Sequence, residues 1–259
     1  MPSKELTAFA IAAHPDDIEL TMAGALLLLK DVGWDIHYMT LANGSCGSMT
    51  LDADEIIAIR RRETIAACES LGATYHGSLV DDISIFYDKE TLAQVSAIVR
   101  DVAHDIILTH ALDDYMEDHM NTARLAVSAA FTRGMRNFNT NPQRPPVFND
   151  VTLYHAMPHG LKDGLNRIAE PDIFVDIGSV LERKKAALGC HRSQKEWLDQ
   201  SQGMDSYIQA MVDLNRQVGT MSGAFEYAEG YRRHNHLGLC SETADPLTEV
   251  LKGKTTAGR

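Results

Sequence analysis

Residues 10–20 read "AIAAHPDDIEL": small apolar residues run into His14, Pro15, Asp16 and Asp17, and an apolar helical pattern resumes at Ile18. The apolar run extends back to Ala8, so "AFAIAA" over 8–13 has the length and continuous hydrophobicity of a strand buried on both faces. The strand therefore passes through a short polar turn directly into a helix. This is the repeating unit of an α/β fold.

The same alternation recurs downstream. Further strands are expected at 36–42, 74–80, 105–110, 152–157 and 173–178, with helices at 18–31, 53–71, 90–103, 118–133 and 179–190. Asp52 and Glu55 form a capping-box pattern at the start of the second helix, and Gly72 suits the left-handed residue after its end. The pattern predicts an α/β fold with a Rossmann-like, mostly parallel sheet and helices on both faces, whose ligand site lies at the carboxyl ends of the strands. A single domain over 1–259 is expected, with its core at about 8–194. The Asn- and Pro-rich stretch 136–150 reads as a surface loop within it. Beyond Gln194 the pattern is helical and polar, clearest in "SYIQAMVDLNRQV", so 195–259 reads as a helical elaboration.

Composition excludes several function classes. With 24 basic against 36 acidic residues the formal charge is -12, and no basic run offers a track for phosphates, so nucleic acid is not an expected partner. The longest apolar stretch, Leu20 to Leu29, is about half of the roughly 20 residues that a membrane span needs. The N-terminus lacks a basic region followed by an apolar core, which predicts a cytoplasmic protein. Cys46, Cys68, Cys190 and Cys240 are scattered, consistent with reduced thiols.

Two polar clusters fall at strand ends: His14-Pro15-Asp16-Asp17, and "HALDDYMEDH" over 110–119. If both strands are central and parallel, the two loops face one crevice. His14, Asp17 and His119 then offer two imidazoles and a carboxylate to zinc, with a fourth position open for water, as in catalytic sites. Zinc lowers the pKa of bound water to about 7, so a carboxylate beside it, Asp16, is a sufficient base. Asp118 could accept from the second nitrogen of a ligating imidazole. The competing structural reading is that Asp16 or Asp17 only caps the helix beginning near Ile18. An aspartate doublet after strand one also occurs in receiver-type phosphoacceptor domains, which do not need His14 or His119. Two histidines and one aspartate accept several divalent ions, so Fe2+ is an alternative to Zn2+.

"AHPDD", "DDYMEDH" and "ERKKAALGCHRSQ", together with "TLANGSCGS", "RRRETIAACESLG" and "FEYAEGYRR", resemble the PIG-L or LmbE-like family of zinc-dependent deacetylases over residues 8 to about 233. The resemblance implies an LmbE-like fold and hydrolysis of an N-acetyl group on a glucosamine-type sugar or related small amide, in a protein that can form a homo-oligomer. It makes His14, Asp17 and His119 the metal ligands and Asp16 the general base. It also brings Arg60 and Asp82 toward the substrate. Amidase action on a larger conjugate, and a zinc-containing sugar-binding protein with little turnover, are the alternatives.

One departure stands out. Family members commonly carry His-x-Asp-His, whereas this chain reads Met116-Glu117-Asp118-His119. The missing imidazole is credited with steadying the oxyanion or delivering a proton, and a thioether does neither. His110, Tyr115, His155, His159 and His191 are candidate replacements, with His191 favoured for its place in "HRSQ". Each has a structural reading: His155 as a packed strand residue, His191 as a cap on its helix, and Arg60 to Arg62 as a solvated helix face. His234 and His236 resemble a metal pair by spacing alone.

Overall fold

A computed structural model describes residues 6–194 and 207–258. The strand opening the chain is β1 (Thr7–Ala12), followed by α1 (Asp17–Thr21), α2 (Ala23–Asp31), β2 (Asp35–Thr40), α3 (Ala53–Leu71), β3 (Thr74–His76), α4 (Lys89–Val102), β4 (Ile106–Thr109) and α5 (Glu117–Thr132). Then come β5 (Thr152–Ala156), β6 (Ile173–Asp176), α6 (Leu181–Leu188), α7 (Tyr207–Ser222), β7 (Ala228–Arg233), α8 (Pro246–Val250) and β8 (Thr255–Ala257). These form one sheet in the order β3-β2-β1-β4-β5-β7-β6-β8. Strands β1 to β5 are mutually parallel, and β7 pairs antiparallel with both β5 and β6, as β8 does with β6. The mostly parallel α/β sheet expected from the sequence is present.

The alternation of β1 explains the layering, because successive side chains point to opposite faces. Ala8, Ala10 and Ala12 join Leu26, Leu27 and Leu29 of α2 with Leu188 and Met211 of α6 and α7 in one core. Phe9 and Ile11 pack on the other face with Val95 and Val99 of α4 and Leu125 and Ala129 of α5. Each fully buried Leu or Ile contributes about 1.5–3 kcal/mol. After β1 the chain winds to β2 and β3 on one side, then returns to β4 and β5 on the other. The loops after β1 and β4 thus diverge at a topological switch point, where a crevice forms.

Three expectations are corrected. The strand at 74–80 is short: the ladder ends at His76, and only an isolated bridge joins Val80 to Ala42. The helix expected over 18–31 breaks at Met22 (φ -132°) into α1 and α2. A long-range contact causes the break: Glu229 Oε1 and Oε2 accept from the Gly24 and Ala25 backbone amides at 2.7 and 2.8 Å. They satisfy donors that a helix start leaves unpaired. Finally, the described part of the C-terminal region is not purely helical, since it supplies β7 and β8 to the sheet. "AEGYRR" hides its strand character behind charges whose partners are distant. Glu229 is buried against Lys184 (2.6 Å), and Arg233 donates to the Ala244 carbonyl. Ser206, the first residue of the helix read there, lies outside the described residues, while the rest of that helix is α7.

Candidate active site

The turn after β1 is built by its own polar residues. Asp17 Oδ2 accepts the His14 backbone amide at 2.7 Å, which folds the chain back as α1 begins. Asp16 occupies the left-handed region (φ 94°) and makes no side-chain cap to α1, so the capping reading does not describe it. Backbone outliers of this kind collect at functional sites. Its carboxylate instead accepts from the Tyr207 hydroxyl, and its Oδ1 lies 3.8 Å from Arg60 Nη2. Arg60 Nη2 also donates to the Pro15 carbonyl at 2.8 Å. Two glycines give the guanidinium room: a Cβ at Gly44 or Gly47 would come within 2.4 Å of the Arg60 side chain.

His14, Asp17 and His119 converge with one donor atom each, all within 4.8 Å of one another. Asp17 Oδ2 is 3.4 Å from His14 Nδ1, and Asp17 Oδ1 is 3.5 Å from His119 Nε2. The remaining nitrogen of each imidazole faces a carboxylate. His14 Nε2 lies 3.0 Å from Asp118 Oδ2, and His119 Nδ1 lies 3.1 Å from Asp114 Oδ1. Each carboxylate accepts the imidazole N–H there, so the nitrogen facing Asp17 is the one a metal would use, its proton being displaced on binding, as metal-binding histidines require. Two imidazole nitrogens and one carboxylate oxygen, with tautomers fixed in this way, fit a divalent ion such as zinc. His110, Asp114 and His119 form a second compact group. There, however, His119 Nδ1 already bonds Asp114, and His110 Nε2 accepts the Ala13 amide at 2.9 Å.

Electrostatics follow from burial and pairing. Burial pulls the His14 imidazole down, but the bonds to Asp118 and Asp17 outweigh it and raise it to about 10. Burial also pulls His119 down, and Asp17 and Asp114 together carry it above its ordinary value. Asp17 is held well below the carboxylate range because the surrounding imidazoles overcome its burial. Asp16 goes the other way: burial, opposed by Arg60, lifts it to about 6. Adjacent carboxylates with separated affinities for protons suit separate roles, one ionised and one able to exchange a proton.

A cavity of about 610 Å³ opens over this group. Its lining includes His14, Asp16, Asp17, Arg60, Asp82, Tyr115, Met116, His119, His159 and Tyr207. Of the residues expected at the site, His14, Asp16, Asp17, Arg60, Asp82, Tyr115, His119 and His159 therefore meet in the lining, with Asp118 behind His14. Asp82 spends both carboxylate oxygens on the Gly44 and Cys46 amides, at 2.7 and 2.9 Å, and so holds the loop that cradles Arg60. Tyr115 is exposed, its ring edge-on to His119 at 5.4 Å. His191 does not line the cavity: it is buried, with Nε2 3.5 Å from Glu19 Oε2. Asp118 orients His14, 104 residues away, and not its neighbour His119. The Ile83 amide donates to the same Asp118 oxygen at 2.8 Å, which holds Ile83 at φ 61°, a region β-branched residues avoid.

Two functional positions escape sequence reasoning. Asp114 sits inside the quoted motif, but nothing in its spacing separates it from Asp113. Tyr207 reaches Asp16 from 191 residues away and leaves no local signal.

Fold and site define a class: a Rossmann-like α/β protein whose switch-point crevice gathers a metal-competent His-Asp-His set with a further carboxylate beside it. Residues 9–130 match the PIG-L family model, described as GlcNAc-PI de-N-acetylase. The chain is 28% identical over 242 residues to 4-oxalmesaconate hydratase of Pseudomonas putida, covering 89% of this chain and 90% of that protein. It is 27% identical to diacetylchitobiose deacetylase of Thermococcus kodakarensis, covering 86% and 80%. The structure of N,N'-diacetylchitobiose deacetylase from Pyrococcus horikoshii superposes with a TM-score of 0.73 at 23% identity, over 93% of this chain and 88% of that one.

Proposed function

We propose that this chain is a divalent-metal hydrolase, with zinc as its cofactor, that removes an N-acetyl group from an N-acetylglucosamine-type sugar or a related small amide. The observation that carries the reading is the His14–Asp17–His119 set, each imidazole backed by its own carboxylate, beside an uncapped Asp16 in a cavity large enough for a sugar. The deacetylase named among the relatives supports the acylated-sugar class. We read the whole chain as one catalytic domain acting in the cytoplasm. Among the described residues no helix is long and apolar enough to cross a membrane.

The bound ion supplies Lewis-acid activation of water and of the acyl oxygen. Asp16 faces the cavity and takes a proton from the attacking water. Tyr207 and Arg60 fix its orientation. The proton then passes from Asp16 to the amine nitrogen as the C–N bond breaks, giving the free amine and acetate. Arg60, Asp82 with the loop it holds, and Tyr115 form the surrounding wall against which the sugar is oriented.

A second reading has a specific observation behind it. Met116 stands where the family resemblance expects an imidazole, and one relative covering most of the chain is named a hydratase. The same Asp16 can take a proton from water and return it to carbon during addition across an activated C=C bond. A panel of N-acetyl sugars assayed for acetate, beside unsaturated carboxylates assayed for loss of ultraviolet absorbance, separates the two. Acetate release that Asp16→Asn and His14→Ala abolish supports the hydrolase. Bleaching without acetate release supports the hydratase, and neither activity in zinc-loaded protein overturns both.

A further inference from the structure

Position 116 carries a thioether at the cavity wall, so an N–H or O–H donor for the acyl oxygen must come from elsewhere. Three of the expected replacements are disposed of by their surroundings. His110 is buried and its Nε2 accepts the Ala13 amide. His155 uses both nitrogens, Nδ1 toward the His110 carbonyl at 2.6 Å and Nε2 toward His234 at 2.9 Å. His191 lies buried beside Glu19 and does not reach the cavity lining.

His159 does reach it. Three imidazoles line the cavity among the described residues, and His14 and His119 already belong to the metal-competent set. His159 shares the wall with Met116 and is exposed on the turn that follows β5. That turn is firmly built: Gly160 and Leu161 both have positive φ (77° and 55°), and Leu161 is buried in a small core with Met157, Phe174 and Leu214. The Leu161 amide donates to the Pro158 carbonyl at 2.9 Å, and its carbonyl accepts from the Ala169 amide at 3.0 Å. A buried leucine held in the left-handed region next to a cavity-facing histidine is the kind of backbone outlier that marks a positioned functional group.

We infer that His159 is a catalytic residue whose imidazole N–H hydrogen-bonds the acyl oxygen in the transition state, in place of the imidazole absent at 116. The inference rests on the hydrolase reading. As the water oxygen bonds to the acyl carbon, a water proton passes to Asp16 and the carbonyl π pair moves onto the acyl oxygen. His159 donates to that oxygen. When the pair returns, the C–N bond breaks and the amine takes the proton held by Asp16, so no further acid is needed. Donors aimed at a developing oxyanion act mainly on kcat, because they bind the ground state less strongly.

The test uses zinc-loaded full-length protein and N,N'-diacetylchitobiose. His159→Gln is expected to lower kcat on the order of 100-fold with little change in KM. It is also expected to weaken a phosphonamidate, in which tetrahedral phosphorus replaces the acyl carbon, by roughly the same factor. Met116→His alone changes kcat little, whereas Met116→His added to His159→Gln restores much of the loss. An unchanged kcat in His159→Gln overturns the inference, as does an equal loss with histidine present at 116, or a loss found in Tyr115→Phe instead. Full activity in Asp16→Asn and His14→Ala overturns the hydrolase reading itself, so the two failures are distinguishable.

Discussion

Asp118 is bonded to His14 and not to His119, the histidine beside it in sequence: Asp118 Oδ2 lies 3.0 Å from His14 Nε2, while Asp114 serves His119 at 3.1 Å. Each carboxylate fixes the lone pair of one imidazole, so the two should act in parallel on metal affinity. Asp118→Asn and Asp114→Asn are each expected to weaken zinc binding by about 10–100-fold, because a neutral amide oxygen accepts the imidazole N–H more weakly than a carboxylate and no longer raises the ligand's basicity. Asp113→Asn, at the exposed neighbour, should leave affinity unchanged. Chelator competition measures all three. Equal affinities for Asp114→Asn and Asp113→Asn would refute the assignment.

The Tyr207 hydroxyl donates to Asp16, whose left-handed backbone leaves its side chain uncapped by α1. Tyr207→Phe removes one hydrogen bond to a charged group, worth about 1.5–3 kcal/mol. If that energy positions Asp16 in the transition state, kcat falls by roughly 10–100-fold while zinc content stays at the wild-type level. Steady-state kinetics with metal analysis reads both. A rise in KM with kcat unchanged would show that Tyr207 contacts substrate and does not position the base.

The β1 turn and the α3 capping box were legible because their determinants are local. Asp52 does accept from the Glu55 amide, and Gly72 does take the left-handed conformation (φ 69°). His14, Asp17 and His119 were legible because parallel β1 and β4 bring their loops together whatever the details of packing. Other features depend on partners far along the chain. The break at Met22 is set by Glu229, the strand β7 hides behind charges neutralised elsewhere, and Tyr207 meets Asp16 only after α7 has docked. His191 misled for a related reason: a histidine in a familiar motif turned out to pack against Glu19, behind the cavity.

The Lys184–Glu229 pair makes a prediction about stability. Both side chains are essentially inaccessible, and Glu229 also accepts from two α2 amides and the Tyr231 hydroxyl. Lys184→Met leaves a buried carboxylate without its cation, and Glu229→Gln leaves a buried ammonium. Each is expected to destabilise by about 3–5 kcal/mol. The double variant should be less destabilised than the sum of the singles, since no unpaired charge remains. Urea titrations of the four proteins test this, and strict additivity would contradict it.

His155 should make stability fall on mild acidification. Burial, opposed by the bond to the His110 carbonyl, lowers its imidazole to about 4 from the usual 6.5. Above pH 6.5 it is neutral in both folded and unfolded chains and contributes no pH dependence. Between pH 6.5 and 4 the unfolded chain takes up a proton that the folded one refuses, so stability is lost. The loss levels off below pH 4 at about 3 kcal/mol for the full shift. His155→Gln cannot take up that proton in either state. Its urea midpoint, lower at pH 7 through lost packing, should therefore decline less than the wild-type midpoint between pH 7 and pH 4.5. Parallel declines would place the titrating group elsewhere.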